Sequence, residues 1–134
     1  MKKCFFIFLL FAGLLSAISQ ELTEMQQVME MHDKAMKKMP ILGNLVQQLQ
    51  TAAQNSEDKV KYELAIEDLK SANMSMQNWM IGFGKRFDAD EMMKGKELTV
   101  QKKEWLKQEK TKVATVDKKI DASIERASKL QEAK

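Results

Sequence analysis

The chain reads as an all-α protein, an elongated and coiled-coil-like antiparallel three-helix bundle preceded by a signal peptide. Three observations predict this. Beyond residue 19, no stretch alternates apolar and polar residues as a half-buried strand does. Apolar side chains instead recur at spacings of three and four along three long stretches. Glycine and proline punctuate those stretches only at Pro40, Gly43, Gly82, Gly84 and Gly95. A chain of 134 residues has room for one domain and a targeting segment, and 31% charged residues exclude a multi-span membrane protein.

The targeting segment comes first. Met1-Lys2-Lys3 is positive, residues 4–18 are almost wholly apolar, and the small residues Ala17 and Ser19 precede Gln20 at the −3 and −1 positions of a signal peptidase site. The apolar run is shorter than the ~20 residues a spanning helix needs, so a cleaved secretory signal over 1–19 is favoured over an anchor. The product expected is an exported domain over 20–134, periplasmic or extracellular. Cys4 precedes the apolar run, whereas a lipidated cysteine would follow it, so no lipid anchor is expected. Removing residues 1–19 takes away two lysines and the lone cysteine, which lowers the net charge from +3 to +1. The remaining domain has no disulfide and must be held by packing alone.

Helices are predicted at about 21–53, 57–83 and 98–132. The first carries the stripe Leu22, Met25, Met29, His32, Met36, Met39, Leu42, Leu45 and Leu49, widened by Val28, Met31 and Ala35. Pro40 removes an amide donor and crowds the Met36 carbonyl, which predicts a kink in one helix rather than two helices. Asn55-Ser56 is a stop and start signal, with Glu57 and Asp58 in the first turn of the second helix. That helix shows Tyr62, Ile66, Leu69, Asn73, Met76, Met80 and Phe83, with Trp79 on the flank and Gly82 and Gly84 near its end. Asp88 and Glu91 have capping-box spacing and open a short turn that Gly95 closes. The third stripe is weak at Leu98, Trp105 and Leu106, then clear from Val113 through Val116, Ile120, Ile124, Ala127 and Leu130. Glu104, Glu109 and Glu125 are spaced to pair with Lys107, Lys112 and Lys129 on its solvent face.

Methionine is the most unusual constituent. Met25, Met29 and Met36 share a face with His32, the only histidine, and thioether with imidazole suits a soft ion such as Cu(I). The competing reading is core packing, since methionine fills irregular interiors and a helical stripe is what a core looks like. His32 and Asn73 then serve as polar interruptions, bonded to a neighbouring helix, that fix register. Asp88, Asp90 and Glu91 do not make a calcium loop, because Met93 stands where such a loop needs glycine. No nucleophile elbow and no phosphate-cradling glycine loop is present, so neither an enzyme nor a bound cofactor is expected.

Residues 85–134 are the basic part, with fourteen cations against ten acids. Interleaved acids and the absence of an aromatic platform argue against nucleic-acid binding, while contact with an anionic membrane surface stays open. Apolar residues off the stripes, namely Met74, Phe87, Met92 and Met93, are the expected partner surface.

The strings Met31-His32-Asp33-Lys34-Ala35-Met36-Lys37-Lys38-Met39 and Leu69 through Phe83, with Trp105 to Ala127, resemble small exported or lipid-anchored helical proteins of Bacteroidota-type bacteria catalogued as "viral A-type inclusion protein"-like. Many of those carry a lipobox cysteine, which this chain lacks. The resemblance implies export and an all-helical fold, and no catalytic residue. The function expected is a non-enzymatic structural or partner-binding module of the cell envelope, monomeric or homodimeric, with copper binding as the alternative.

Overall fold

The computed structural model describes residues 23–132, and the expected signal peptide, with Cys4, lies outside them. All regular structure among the described residues is helical: α1 (Glu24–Met36), α2 (Met39–Gln54), α3 (Lys59–Arg86), α4 (Ala89–Met93) and α5 (Val100–Glu132). No helix among them is long and apolar enough to cross a membrane.

Helix α1 starts at a capping box. The Thr23 hydroxyl accepts from the Gln26 amide and the Gln26 side chain accepts from the Thr23 amide. The helix does not continue through Pro40 as one kinked rod. Lys37 and Lys38 form a turn, and Pro40 falls in the first turn of α2, where its missing N–H costs nothing. Both turn residues keep right-handed backbone angles, so the chain steps without reversing direction. Lys38 anchors the step by reaching across to Asp117 and Asp121 of α5, each 2.6 Å away. Burial works against its charge, but the hydrogen bonds it donates to both carboxylates outweigh this and raise its pKa.

Cross-helix pairs give the directions. Arg86 meets Glu109, Lys119 meets Ser75 and Ser71, and Arg126 meets Asp68, so α3 and α5 run antiparallel. Lys110 bonds Gln27, Lys38 bonds Asp117, and Gln131 bonds Gln48, so α1 and then α2 follow the direction of α5. The turn between α2 and α3 makes these two antiparallel. Helix α3 packs chiefly on α5 and α2, while α1 packs chiefly on α5. Leu49, Leu69, Val113 and Ile120 are completely buried along this seam, each contributing roughly 1.5–3 kcal/mol of hydrophobic free energy.

Several sequence expectations fail in instructive ways. Helix α3 begins at Lys59, leaving Glu57 and Asp58 outside it, and the Asp58 side chain makes no capping bond. It runs through Gly82 and Gly84 to Arg86, because burial of Phe83 outweighs the weak propensity of two glycines. Asn73 is exposed and Ala72 is buried in its place, while Met80 is 41% exposed and Trp79 is buried. Strict three-four alternation assumes one neighbour along the whole helix. Here Met39, at the start of α2, lines the same groove as Asn73, and past that level Trp79 of α3 stacks on His32 of α1. The buried face turns accordingly, and the larger indole displaces the thioether. On α5, Glu109 is 2% exposed rather than on the solvent face, and Ser123 is buried with its hydroxyl donating to the Ile120 carbonyl.

Candidate functional site

The end of the molecule where α3 hands over to α5 carries a dense set of ion pairs, among them Arg86–Glu109, Lys96–Asp88 and Lys102–Glu91. It is built by α4. The Asp88 carboxylate accepts from the Glu91 amide and the Glu91 carboxylate accepts from the Asp88 amide, both at 2.9 Å. This is the box that the Asp88–Glu91 spacing predicts. Glu91, only 5% exposed, also receives Lys102 at 2.6 and 2.7 Å, and Asp88 receives Lys96 at 2.8 Å. These contacts hold both carboxyls below the ordinary carboxylate range. For Glu91 the main cause is Lys102, followed by the Asp88 amide. For Asp88 it is Lys96, followed by the Glu91 amide. Gly95, with φ +69°, turns the chain out of α4 in a conformation that disfavours any side chain.

So positioned, α4 lies against α1, and the two enclose a groove of ≈ 800 Å³. Met29 of α1 and Met92 and Met93 of α4 line it, with Glu30, Asp33, Lys34 and Lys37 among its charged residues. Met93 is 76% exposed, whereas Met29 and Met92 are half-buried against the core. Three thioethers from two elements therefore face one accessible cleft, ringed by two acids and two lysines.

The residues expected from sequence are only partly gathered there. Of Met25, Met29, His32 and Met36, Met29 alone lines the groove. Met25 is buried in the core, and Met36 packs against it. Of the expected partner surface, Met92 and Met93 come together. Phe87, expected on that surface, is instead 2% exposed, because its ring tilts against Phe83 and closes the core. Met74 is exposed on α3 and does not line this groove.

His32 is also placed differently from expectation. Its Nδ1 meets Asp33 on its own helix at 2.9 Å, not a group on a neighbouring helix. Its ring stacks on Trp79 at 5.7 Å between centroids, Trp79 stacks on Phe83 at 4.8 Å, and Phe83 meets Phe87 at 4.8 Å. This ladder brings α1 against α3 through the His32 and Trp79 rings. Beside it, Arg86 lies 5.2 Å over the Trp105 ring and pairs with Glu109 at 3.0 Å.

Sequence reasoning missed Glu109 and underrated Trp79. The signal for Glu109 was present: it stands three residues after Leu106 and four before Val113, in a series where Leu106, Val113, Ile120 and Ala127 recur every seventh residue. No group of three or more histidine, cysteine or acidic side chains among the described residues is arranged to hold a metal ion. Compared with family models, curated proteins and solved structures, the chain matches none.

Proposed function

We propose that the chain is an exported, non-enzymatic, elongated three-helix bundle that acts as a partner-binding module of the cell envelope, and that the methionine-lined groove between α1 and α4 is its binding face. The observation that carries this reading is the convergence of Met29, Met92 and Met93 on one open cleft. Thioether side chains are flexible and polarisable, so such a surface adapts to an apolar partner side chain, and the charges of Glu30, Asp33, Lys34 and Lys37 can fix its orientation. Support for export comes from the signal-like residues 1–19 and from the resemblance carried by the two strings around His32 and Trp79. Contact with an anionic membrane through α5 has less support. Lys102, Lys110, Lys112, Lys119, Arg126 and Lys129 of that helix are already engaged by protein groups.

The test is affinity capture from envelope extract with wild-type protein and with Met92→Asp and Met93→Asp. A partner retained by wild type and lost from both variants, with helical circular dichroism unchanged, is the expected result. Equal retention by the variants refutes this face. The same three thioethers favour a second reading, capture of Cu(I). Titration with Cu(I) decides it: a complex tighter than about micromolar that weakens in Met93→Leu supports ion capture, and none retires it.

A further inference from the structure

The outer face of α3 carries a second periodic line of residues. Val60, Leu64, Met74 and Ile81 are 58–66% exposed, four of the eight large apolar side chains left exposed among the described residues. Apolar residues scattered singly over a surface need no explanation, but these four fall on one line. Exposed Glu67, Ser71 and Asn78 fill it, so that the positions advance by alternate steps of four and three over three heptads. That is the period of a coiled-coil seam. Its partner is not within the chain, because α3 buries Leu69, Met76 and Phe83 on its opposite side.

The charges on and beside this line decide what can cover it. A second copy laid parallel sets Glu67 against Glu67 and brings Glu63 beside Asp68, which is repulsive in both places. Antiparallel pairing in which Leu64 meets Met74 fares no better, since it puts Asp68 beside Asp68 and Lys70 beside Lys70. Moving the second copy by one heptad removes every such clash. Leu64 then meets Ile81 towards each end, Ser71 meets Met74 on either side of the two-fold axis, and Glu67 meets Asn78, a carboxylate against an amide donor. Beside the seam, Lys70 comes next to Gln77 and Asp68 next to Ser75, while Lys61 and Glu63 lie over Gly82 and Gly84 of the other copy.

Those two glycines are a separate observation. Neither has a positive φ, and a Cβ built on either would meet nothing within 4 Å, so the interior of the chain does not call for glycine at these positions. In the pairing, bare backbone there gives two long side chains of the other copy room to lie across the helix.

We propose that the outer face of α3 is the seam of an antiparallel homodimer, covered by the same face of a second copy of this chain. The two-fold axis passes between residues 72 and 73, and the seam runs from Val60 to Lys85, ~39 Å. Polar layers at Glu67 and Asn78 fix the register at a cost in strength, which sets an affinity of about micromolar. None of the residues lining the methionine groove takes part, so the pairing does not depend on that site.

Sedimentation equilibrium of the full chain tests this, from about 1 μM to about 500 μM. Expected is a monomer–dimer equilibrium whose dissociation constant rises at least about tenfold in Leu64→Glu and in Ile81→Glu, with helical circular dichroism unchanged because both side chains are exposed. Cross-linking in a Cys4→Ser background tests the geometry. Leu64→Cys combined with Ile81→Cys should give a covalent dimer under mild oxidation, whereas either alone should not, because the two copies of residue 64 lie ~26 Å apart. Three outcomes overturn the proposal. A monomer at every concentration leaves this face to a different partner, association that survives both Glu variants arises elsewhere, and ready cross-linking of the single cysteine variants shows a parallel pair.

Discussion

The two ends of the molecule are closed by different physics. At the turn between α2 and α3, closure is mostly aliphatic, with one ring: Leu49, Ala52, Ala53, Tyr62 and Ile66 are buried. The polar contacts there are sparse and surface-borne, such as Lys61 to Asp58 at 2.8 Å and the Ser56 hydroxyl accepting from the Asp58 amide. At the opposite end, closure is directional. Four rings follow one another from His32 to Phe87, the first three stacked and the last tilted, and two nearly buried carboxylates, Glu91 and Glu109, each sit in a fixed set of donors. Aliphatic packing tolerates small shifts, whereas stacked rings and short ion pairs hold side chains in one geometry. The methionine groove adjoins the directional end. That is where a binding surface gains most from a pre-organised frame.

The largest expected effect comes from the middle of the ladder. Phe83→Ala removes the ring shared by Trp79 and Phe87 and should cost about 3–5 kcal/mol, lowering the melting temperature by roughly 10–20 °C in a calorimetric scan. A loss below 1 kcal/mol would mean that the rings are not what closes this end. A smaller pair of changes contrasts two glycines. Gly95→Ala forces a side chain into the φ +69° turn and should destabilise by about 1–2 kcal/mol. Gly82→Ala, with open space at its Cβ, should stabilise by about 0.5–1 kcal/mol. Chemical denaturation of both variants reads the opposite signs directly.

The smallest global effect is expected from acid. The folded pKa values of Asp88 and Glu91 lie below their ordinary values of 3.8 and 4.5. Their stabilisation is therefore present above those values and is lost as pH falls through the lower, folded ones. Amide protection over 89–93, corrected for intrinsic exchange, should drop in that range before α3 and α5 respond. Simultaneous loss across all helices would show that α4 is no separate clasp.

What could be read from sequence divides along the same line. The apolar seam was legible because hydrophobic spacing alone determines it: Leu42, Leu45, Leu49, Tyr62, Ile66, Leu69, Val113 and Ile120 are all buried. The capping box at Asp88 was legible too, since it is local. The directional end was not. Glu109 is buried only because Arg86, 23 positions earlier in the chain, is brought beside it. Phe87 looked surface-bound because it follows the stripe, but the series of ring contacts continues past the point where the helix ends. Methionine number drew attention to Met25 and Met36 on one helix, while the cleft takes Met29 from α1 and two more from α4, a pairing that no helical period contains.

The break at Lys37–Lys38 has a consequence for how the protein opens. It leaves α1 as thirteen residues, too short to stay helical by itself in water. Its order is borrowed from α5, from α4 and from the ring of Trp79, so α1 is expected to open as a local unit while the hairpin of α2 and α3 stays shut on α5. Such an excursion would dismantle one wall of the methionine cleft and bare the indole face in a single event, making the weakest rod a door shared by both.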